Sequence, residues 1–185
     1  MKVRHFLPHE LKVRVASDSN NTFCNVFVYT TADVLKGLVE ETGKTAVIDY
    51  PYEGALPKKI SSEKDEFVAT VKITVGNEIA IGTGQKDTAK SAETDAIKRA
   101  FNALGVGTEI PNEQFGLYRN KIKTHDKGKC ADKFYVSNLS YMEGDGLPRW
   151  KAIEISSALS GDVVGTFFFQ NVWKKKKLKN KPRTY

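Results

Sequence analysis

Four basic side chains in one stretch of the chain have the types and the spacing to hold a phosphate backbone. Lys90, Lys98 and Arg99 lie in a segment with helical periodicity, and Lys86 precedes them. On a helix, the distance from Lys90 to Lys98 is roughly 12 Å along the axis, with about 80° of rotation around it. Two cations so placed can follow a phosphate backbone. The alternative is a solvated helix face on which Asp95 and Arg99 form an i,i+4 ion pair.

The segment that carries these cations has the pattern of a helix packed on a sheet. Its apolar positions recur at about 100° per residue and are mostly alanine: Ala92, Ala96, Ile97, Ala100, Phe101 and Leu104. Thr88 is a suitable N-cap, and Gly105 and Gly107 are suitable to end the helix. The pattern therefore predicts a helix over residues 86–104 that packs on the sheet. Because alanine side chains are short, we expect the apolar face to lie close against a sheet.

The segments before this helix predict strands. They cover residues 45–50, 67–75 and 78–82, and Gly76-Asn77 is a good hairpin turn between the last two. Three strands followed by a helix predict an α+β fold, in which an antiparallel sheet packs against a long helix as a β-β-β-α core. Further strands are predicted at residues 11–16, 23–29, 134–142, 150–156 and 163–169, the last three forming an additional C-terminal β region.

The rest of the chain supplies connections and one more helix. Thr30 and Asp33 have capping-box spacing before an amphipathic segment that Gly43 closes. Residues 51–64 predict a polar connection, and residues 119–133 predict a basic loop that either contacts nucleic acid or is simply exposed. Four aromatic residues near the C-terminus are too apolar to face water and indicate buried core or a subunit interface: Phe167, Phe168, Phe169 and Trp173.

The net charge of +7 is concentrated in the last residues. Residues 174–185 hold seven of the 29 cations and no acid, so the remaining 22 cations balance the 22 acids. We expect residues 1–173 to form one domain and residues 174–185 to form a basic tail. Any nucleic-acid site in the domain must then be a local groove. The tail either adds salt-sensitive phosphate contacts, through Lys174, Lys175, Lys176 and Lys177, or only aids solubility.

Other kinds of chemistry have weaker support in the sequence. Residues 84–91 approach the phosphate-binding pattern G-x-x-x-x-G-K-[ST], but Ala89 replaces the second glycine, whose missing side chain lets the backbone surround phosphate. The three histidines and the isolated Cys24 and Cys130 form neither a metal-binding pattern nor a nucleophile with its base. We expect a protein without enzymatic activity, metal or nucleotide cofactor. With no apolar run that could span a bilayer and no signal peptide, we expect a cytoplasmic protein.

Two segments resemble a known family. The sequence AKSAETDAIKRAFNALGVG, residues 89–107, looks like the signature helix of the Rad-fifty-two-type single-strand annealing proteins, including the phage Sak group, with its A-x-x-D-A-x-K-R-A core. The segments LPHEL and YTTADVLKGLVEETG are similar to that family's opening strand and helix. The resemblance covers roughly residues 6–110. It implies ATP-independent binding of single-stranded DNA and annealing of complementary strands during recombination or repair in a bacterial cell.

The resemblance also implies partners and residue roles. It implies a homo-oligomer, in some members a ring, that works with an exonuclease or a single-strand-binding protein. Lys90 and Lys98 match family lysines of the inner DNA groove, and Arg99 matches a neighbouring basic position of a second DNA contact. Lys86 lies in a loop where the family also has lysine. Glu93 falls on the apolar face, where it needs a partner, and a subunit contact would provide one.

A second resemblance gives an alternative function. Residues 66–104 are similar to a double-stranded RNA-binding domain, which has three strands, a G-x-G turn, a lysine cluster and an alanine-rich helix. Such domains bind duplex phosphates through lysines at the start of the helix, a role open to Lys86 and Lys90. Here Asp87 and Thr88 interrupt the usual run of lysines. Lys98 and Arg99, late in the helix, and the earlier amphipathic helix favour annealing of single strands.

Overall fold

The computed structural model describes residues 1–15, 23–108, 120–123, 133–141 and 150–168. In these ranges the chain forms ten strands in two antiparallel sheets, together with the helices α1 (Ala32–Glu40) and α2 (Ala89–Ala103). The predicted α+β class with antiparallel sheets is therefore confirmed. No helix in the described part of the chain is both long enough and apolar enough to cross a membrane.

Four strands form the sheet on which α2 packs. They are β3 (Ala46–Asp49), β4 (Lys58–Lys59), β5 (Phe67–Val75) and β6 (Glu78–Lys86). The long strand β5 pairs with β6 along one side and with β3 and β4 along the other. The two-residue turn Gly76-Asn77 joins β5 to β6 as predicted, and the positive φ of Gly76, 58°, is a conformation that favours glycine.

Strand β6 continues farther than its sequence pattern predicts. The prediction ended this strand at Gly82, whereas the structure extends it through Gly84 to Lys86. A Cβ added to Gly82 would lie 2.1 Å from the Ala96 carbonyl oxygen, and one added to Gly84 would lie 2.1 Å from the Ala92 carbonyl oxygen. The two glycines therefore form a smooth strand surface under the alanine face of α2. They are not a turn, because close helix packing outweighs the low strand propensity of glycine.

Six strands form the second sheet, in the order β10-β9-β8-β1-β2-β7. Strands from both ends of the chain meet in it: β1 (Lys12–Val15), β2 (Phe23–Tyr29), β7 (Asn120–Lys123), β8 (Phe134–Tyr141), β9 (Trp150–Ser157) and β10 (Val163–Phe168). The predicted C-terminal strands thus extend the sheet that β1 and β2 begin. Buried residues of both sheets and both helices belong to one hydrophobic cluster, which includes Val26, Ile73, Ala96 and Ile155.

Two predicted connections contain strands. The segment 119–133 was predicted to be a loop, yet Asn120–Lys123 pairs with β2. The segment 51–64 contains the two-residue strand β4, paired with the start of β5. Both strands are short and lysine-rich, so neither has the apolar alternation by which strands are recognised in a sequence. The rest of the predicted basic loop, the side chains of Phe167, Phe168, Phe169 and Trp173, and the tail 174–185 lie outside the described part.

Helix α1 begins one residue later than predicted. The Thr31 hydroxyl accepts a hydrogen bond from the Val34 amide at 3.4 Å and is the N-cap. Thr30, the predicted cap, is only 5 % exposed, and its hydroxyl donates to the Glu10 carbonyl at 3.3 Å. Either of the two adjacent threonines could serve as the N-cap by its residue type. Thr31 takes this role because Thr30 instead contacts Glu10, which lies 20 residues away in the chain.

The segment before β1 is tied to the end of α1 by an ion-pair network. The Arg4 guanidinium lies 2.6 Å from the carboxylates of both Glu10 and Glu41. Its hydrogen bond holds the pKa of Glu10 below the usual range, although partial burial opposes this shift. The network fixes the chain at the point where it enters β1, the strand that carries Arg14.

Candidate nucleic-acid interface

The face of α2 away from the alanines carries a polar stripe. Lys90, Thr94 and Lys98 follow one another at intervals of four residues, so they lie along one side of the helix. The Thr94 hydroxyl donates to the Lys90 carbonyl at 2.8 Å. At the start of the helix the predicted cap is confirmed, since the Thr88 hydroxyl accepts a hydrogen bond from the Ser91 amide at 3.1 Å. The helix ends at the predicted place, followed by Gly105 with φ 82°.

This polar stripe forms one wall of a groove, and strands β1 and β2 contribute to the other. The groove has a volume of about 560 Å³. It is lined by Arg14 and Tyr29 from the strands and by Lys86, Asp87, Lys90, Ser91, Thr94, Asp95 and Lys98 from β6 and α2. Three of the predicted residues, Lys86, Lys90 and Lys98, are therefore brought together in one depression. We call it the α2 groove.

The strand wall of the α2 groove adds residues that were not predicted. The Lys98 amine lies 5.6 Å from the centre of the Tyr29 ring, and the Arg14 guanidinium lies 5.5 Å from the centre of the Phe27 ring. Both distances are within the range of cation–π attraction. The pattern of β1 does place Arg14 on its polar face. Only the tertiary fold brings that face next to a helix more than 70 residues later in the chain.

Charge in the α2 groove is predominantly positive. Its lining includes four cations, Arg14 and the three lysines, and two carboxylates, Asp87 and Asp95. Arg99 reduces the negative contribution, because its guanidinium nitrogen lies 2.7 Å from the Asp95 carboxylate. Arg99 itself is not among the lining residues. The structure thus contains the i,i+4 pair that was the alternative interpretation of Arg99.

Lys86 is the last residue of β6, where it pairs with Phe67. The helical pattern was predicted to begin at Lys86, and the family resemblance placed Lys86 in a loop. Both predictions are wrong, because the strand continues under α2 and the helix begins at Ala89. Only Asp87 and Thr88 separate β6 from α2. The phosphate-binding pattern G-x-x-x-x-G-K-[ST] needs a loop long enough to surround a phosphate, and most of the matching residues here belong to a strand or a helix.

Glu93 has its partner within the chain. The Tyr50 hydroxyl donates a hydrogen bond to its carboxylate, and this bond raises the pKa of Tyr50. The proposed subunit contact is therefore not needed to satisfy Glu93. The signal for this pair was absent from the local sequence, since Tyr50 follows β3 and precedes Glu93 by 43 residues.

The remaining candidates for chemistry do not join the α2 groove. The His5 ring stacks on Tyr141, with 4.0 Å between ring centres. Within the described ranges, no group of three or more histidine, cysteine, aspartate or glutamate residues is arranged to hold a metal ion. Lys174, Lys175, Lys176 and Lys177 lie outside the described residues, as do His125 and Cys130.

Comparison with protein-family models and with curated proteins finds no match to this sequence. Function is therefore inferred from the α2 groove and from the sequence resemblance.

Proposed function

We propose that the protein binds single-stranded DNA in the α2 groove and anneals complementary strands without ATP. The observation that carries this proposal is the convergence of Arg14, Lys86, Lys90 and Lys98 beside Tyr29 in one depression of a domain with no formal net charge. A polyanion is the ligand that such a concentration of cations attracts. The resemblance to Rad-fifty-two-type annealing proteins, in particular the Sak group, supports the choice of single-stranded DNA.

Annealing requires contacts to phosphates that leave bases free to pair. The stripe of Lys90 and Lys98 offers sequence-blind phosphate contacts at about the 12 Å spacing of two helical turns. A strand held this way presents its bases to a complementary strand, and pairing supplies the free energy of annealing. No covalent step, nucleotide or metal takes part, so we propose a non-enzymatic protein of recombination or repair in the cytoplasm of a bacterial cell, of the phage type.

We further propose that the protein acts as a homo-oligomer, either a ring or another oligomer. The face of the four-stranded sheet opposite α2 supports this, because it exposes large apolar side chains: Val47 is 56 %, Ile79 is 64 % and Ile81 is 56 % exposed. Strand β6 also pairs with a neighbour on one side only among the described strands. Exposed edges and apolar faces of this kind commonly meet another chain. An exonuclease or a single-strand-binding protein is a further proposed partner.

Binding of double-stranded RNA is the second candidate function. Lys86 and Lys90 flank the capped start of α2, which strands β3 to β6 precede in the chain. The sequence resemblance of residues 66–104 to a double-stranded RNA-binding domain supports this candidate. Lysines in this position are suited to phosphates across the major groove of an A-form duplex. Lys98 favours the single-strand proposal, since it extends the cation stripe two turns away from the start of the helix.

A competition assay with a strand-annealing time course tests the proposed function. Labelled single-stranded DNA is bound in moderate salt and challenged with unlabelled single-stranded DNA, double-stranded DNA or double-stranded RNA. Annealing of complementary strands is followed without ATP, with the Lys90→Ala/Lys98→Ala variant as the control. We expect single strands to compete best and the wild-type protein to accelerate annealing more than the variant does. Preferential competition by double-stranded RNA, without acceleration, would contradict the proposal and favour the duplex-binding alternative.

A further inference from the structure

A second depression lies at the six-stranded sheet, beside the neighbouring strands β1 and β8. The described pairing between these two neighbouring strands consists of the single pair Lys12↔Tyr135. A cleft of about 400 Å³ lies beside this pair. We call it the β1–β8 cleft. By contrast, β1 and β2 remain paired over four residues, from Lys12↔Tyr29 to Val15↔Val26.

The lining of the β1–β8 cleft combines aromatic rings, aliphatic side chains and cations. The residues that line it are Leu11, Lys12, Val13, Val15, Tyr29, Lys133, Phe134 and Tyr135. Tyr135 is 42 % exposed, a large fraction for an aromatic side chain. Lys12 and Lys133 are also exposed, and among the lining residues that the structure describes none carries a carboxylate. The described lining therefore places aromatic and aliphatic side chains beside positive charge.

The strand register places the rings of Tyr29 and Tyr135 in one line across three neighbouring strands. Lys12 pairs with Tyr29 of β2 on one side and with Tyr135 of β8 on the other. Directly paired residues of neighbouring strands point to the same face of a sheet. The two tyrosines are thus about 10 Å apart at their backbones, two inter-strand spacings, with a lysine between them. Alternating rings and cations are typical of surfaces that bind single-stranded nucleic acid, in which bases stack and phosphates pair with cations.

The β1–β8 cleft and the α2 groove share one lining residue. Tyr29 lines both depressions, and its ring lies 5.6 Å from the Lys98 amine. A strand that leaves the α2 groove past Lys98 reaches Tyr29 first and Tyr135 next. Duplex nucleic acid cannot use the second depression in this way, because its bases are stacked on one another and their faces are covered.

We propose that the β1–β8 cleft binds a nucleobase of the same single strand whose phosphates lie in the α2 groove. This inference rests on the proposed function. The base stacks on Tyr135, and Lys12 and Lys133 contact the flanking phosphates. One nucleotide is thereby anchored at the end of the groove, while the bases within the groove remain free to pair. Stacking on a ring is tolerant of base identity, so the anchor does not introduce a sequence requirement.

The test compares two oligonucleotides that differ only in their bases. One is a thymidine oligomer, and the other has the same length and the same phosphates but abasic sites throughout. Binding of each is measured by fluorescence anisotropy with the wild-type protein, with Tyr135→Leu and with Tyr135→Phe, which keeps the ring. Tyr52→Leu is the matched control, since Tyr52 is 59 % exposed and lies near the other sheet. Circular dichroism establishes that each variant is folded.

We expect the wild-type protein to bind the thymidine oligomer about ten-fold more tightly than the abasic one. Tyr135→Leu should remove most of that difference by weakening thymidine binding alone, whereas Tyr135→Phe and Tyr52→Leu should leave it unchanged. Equal wild-type affinity for the two oligomers, or an equal loss for both in Tyr135→Leu, would overturn the inference. A different result would contradict the proposed function itself: equal binding of the abasic oligomer to the Lys98→Ala variant and to the wild-type protein would show that the α2 groove does not bind the phosphates.

Discussion

The two faces of helix α2 differ in which parts of the chain they contact: one packs on a strand next to it in sequence, and the other faces strands far away in sequence. On one face Ala92, Ala96 and Ala100 have no exposed surface and lie against the glycines of β6. On the other face Lys90 and Lys98 line a groove whose opposite wall comes from β1 and β2. The first face is specified by residues close in sequence, because β6 directly precedes α2. The second becomes a site only through strands far away in the chain. Packing is thus encoded locally here, whereas the candidate binding surface is a product of the tertiary fold.

The largest expected effect comes from disturbing the alanine face. In Gly84→Ala the new Cβ would meet the Ala92 carbonyl oxygen at 2.1 Å, so the helix must move away from the strand. We expect a loss of about 3 kcal/mol in the free energy of unfolding, which lowers Tm by roughly 6–12 °C. Thermal unfolding followed by circular dichroism measures this.

Gly37→Ala in α1 is the matched control for Gly84→Ala. A Cβ at Gly37 meets no atom within 4 Å, and alanine favours helix, so Tm should stay the same or rise. A Gly84→Ala variant as stable as the wild-type protein would show that close contact between α2 and β6 does not hold the helix in place.

A smaller effect is expected at the border between the two faces, where Arg99 pairs with Asp95. If Arg99 acts by neutralising Asp95, Arg99→Ala leaves a carboxylate in the α2 groove and weakens single-strand binding about two- to five-fold. The same substitution should then have almost no effect in an Asp95→Asn background. Anisotropy titrations of the wild-type protein, the two single variants and the double variant form a double-mutant cycle that measures this coupling.

The cycle separates this indirect role from the direct DNA contact that the family resemblance implies for Arg99. A direct contact predicts an equal loss of affinity on Arg99→Ala in both backgrounds. Stability should change by only about 0.5 kcal/mol in either case, because the pair is a partly exposed i,i+4 ion pair on one helix.

The same contrast accounts for what could be predicted from the sequence. The alanine face, the Thr88 cap and the Gly76-Asn77 turn follow from local patterns and are confirmed. The continuation of β6 through Gly84 was missed, because its stabilisation comes from the helix packed above it. The double-stranded RNA-binding-domain-like arrangement, the division into a domain and a tail, and the binding roles stay predictions.

The candidate site was predicted only on the side that α2 carries. Lys90 and Lys98 were identified by their helical spacing and do line the α2 groove. Arg14 and Tyr29 were missed, since no periodicity relates a β-strand to a helix that lies far along the chain. The Tyr50–Glu93 hydrogen bond was missed for the same reason.

The most direct test of the central claim is the salt dependence of single-strand binding when the lysine stripe is removed. Affinity for a thymidine oligomer is measured between about 50 and 300 mM salt, a range over which the release of counterions changes the binding constant strongly. The proteins compared are the wild type, Lys90→Ala/Lys98→Ala and Lys36→Ala. Lys36 is the matched control, because it lies on α1, 3.6 Å from Glu40, and does not line the α2 groove.

We expect the double variant to bind more weakly at low salt, with a slope of log K against log salt that is shallower by about 0.7 for each lysine removed. Lys36→Ala should keep the wild-type slope. A double variant with wild-type affinity and slope, or a Lys36→Ala variant with the same loss, would contradict the assignment of the α2 groove as the place where the strand binds.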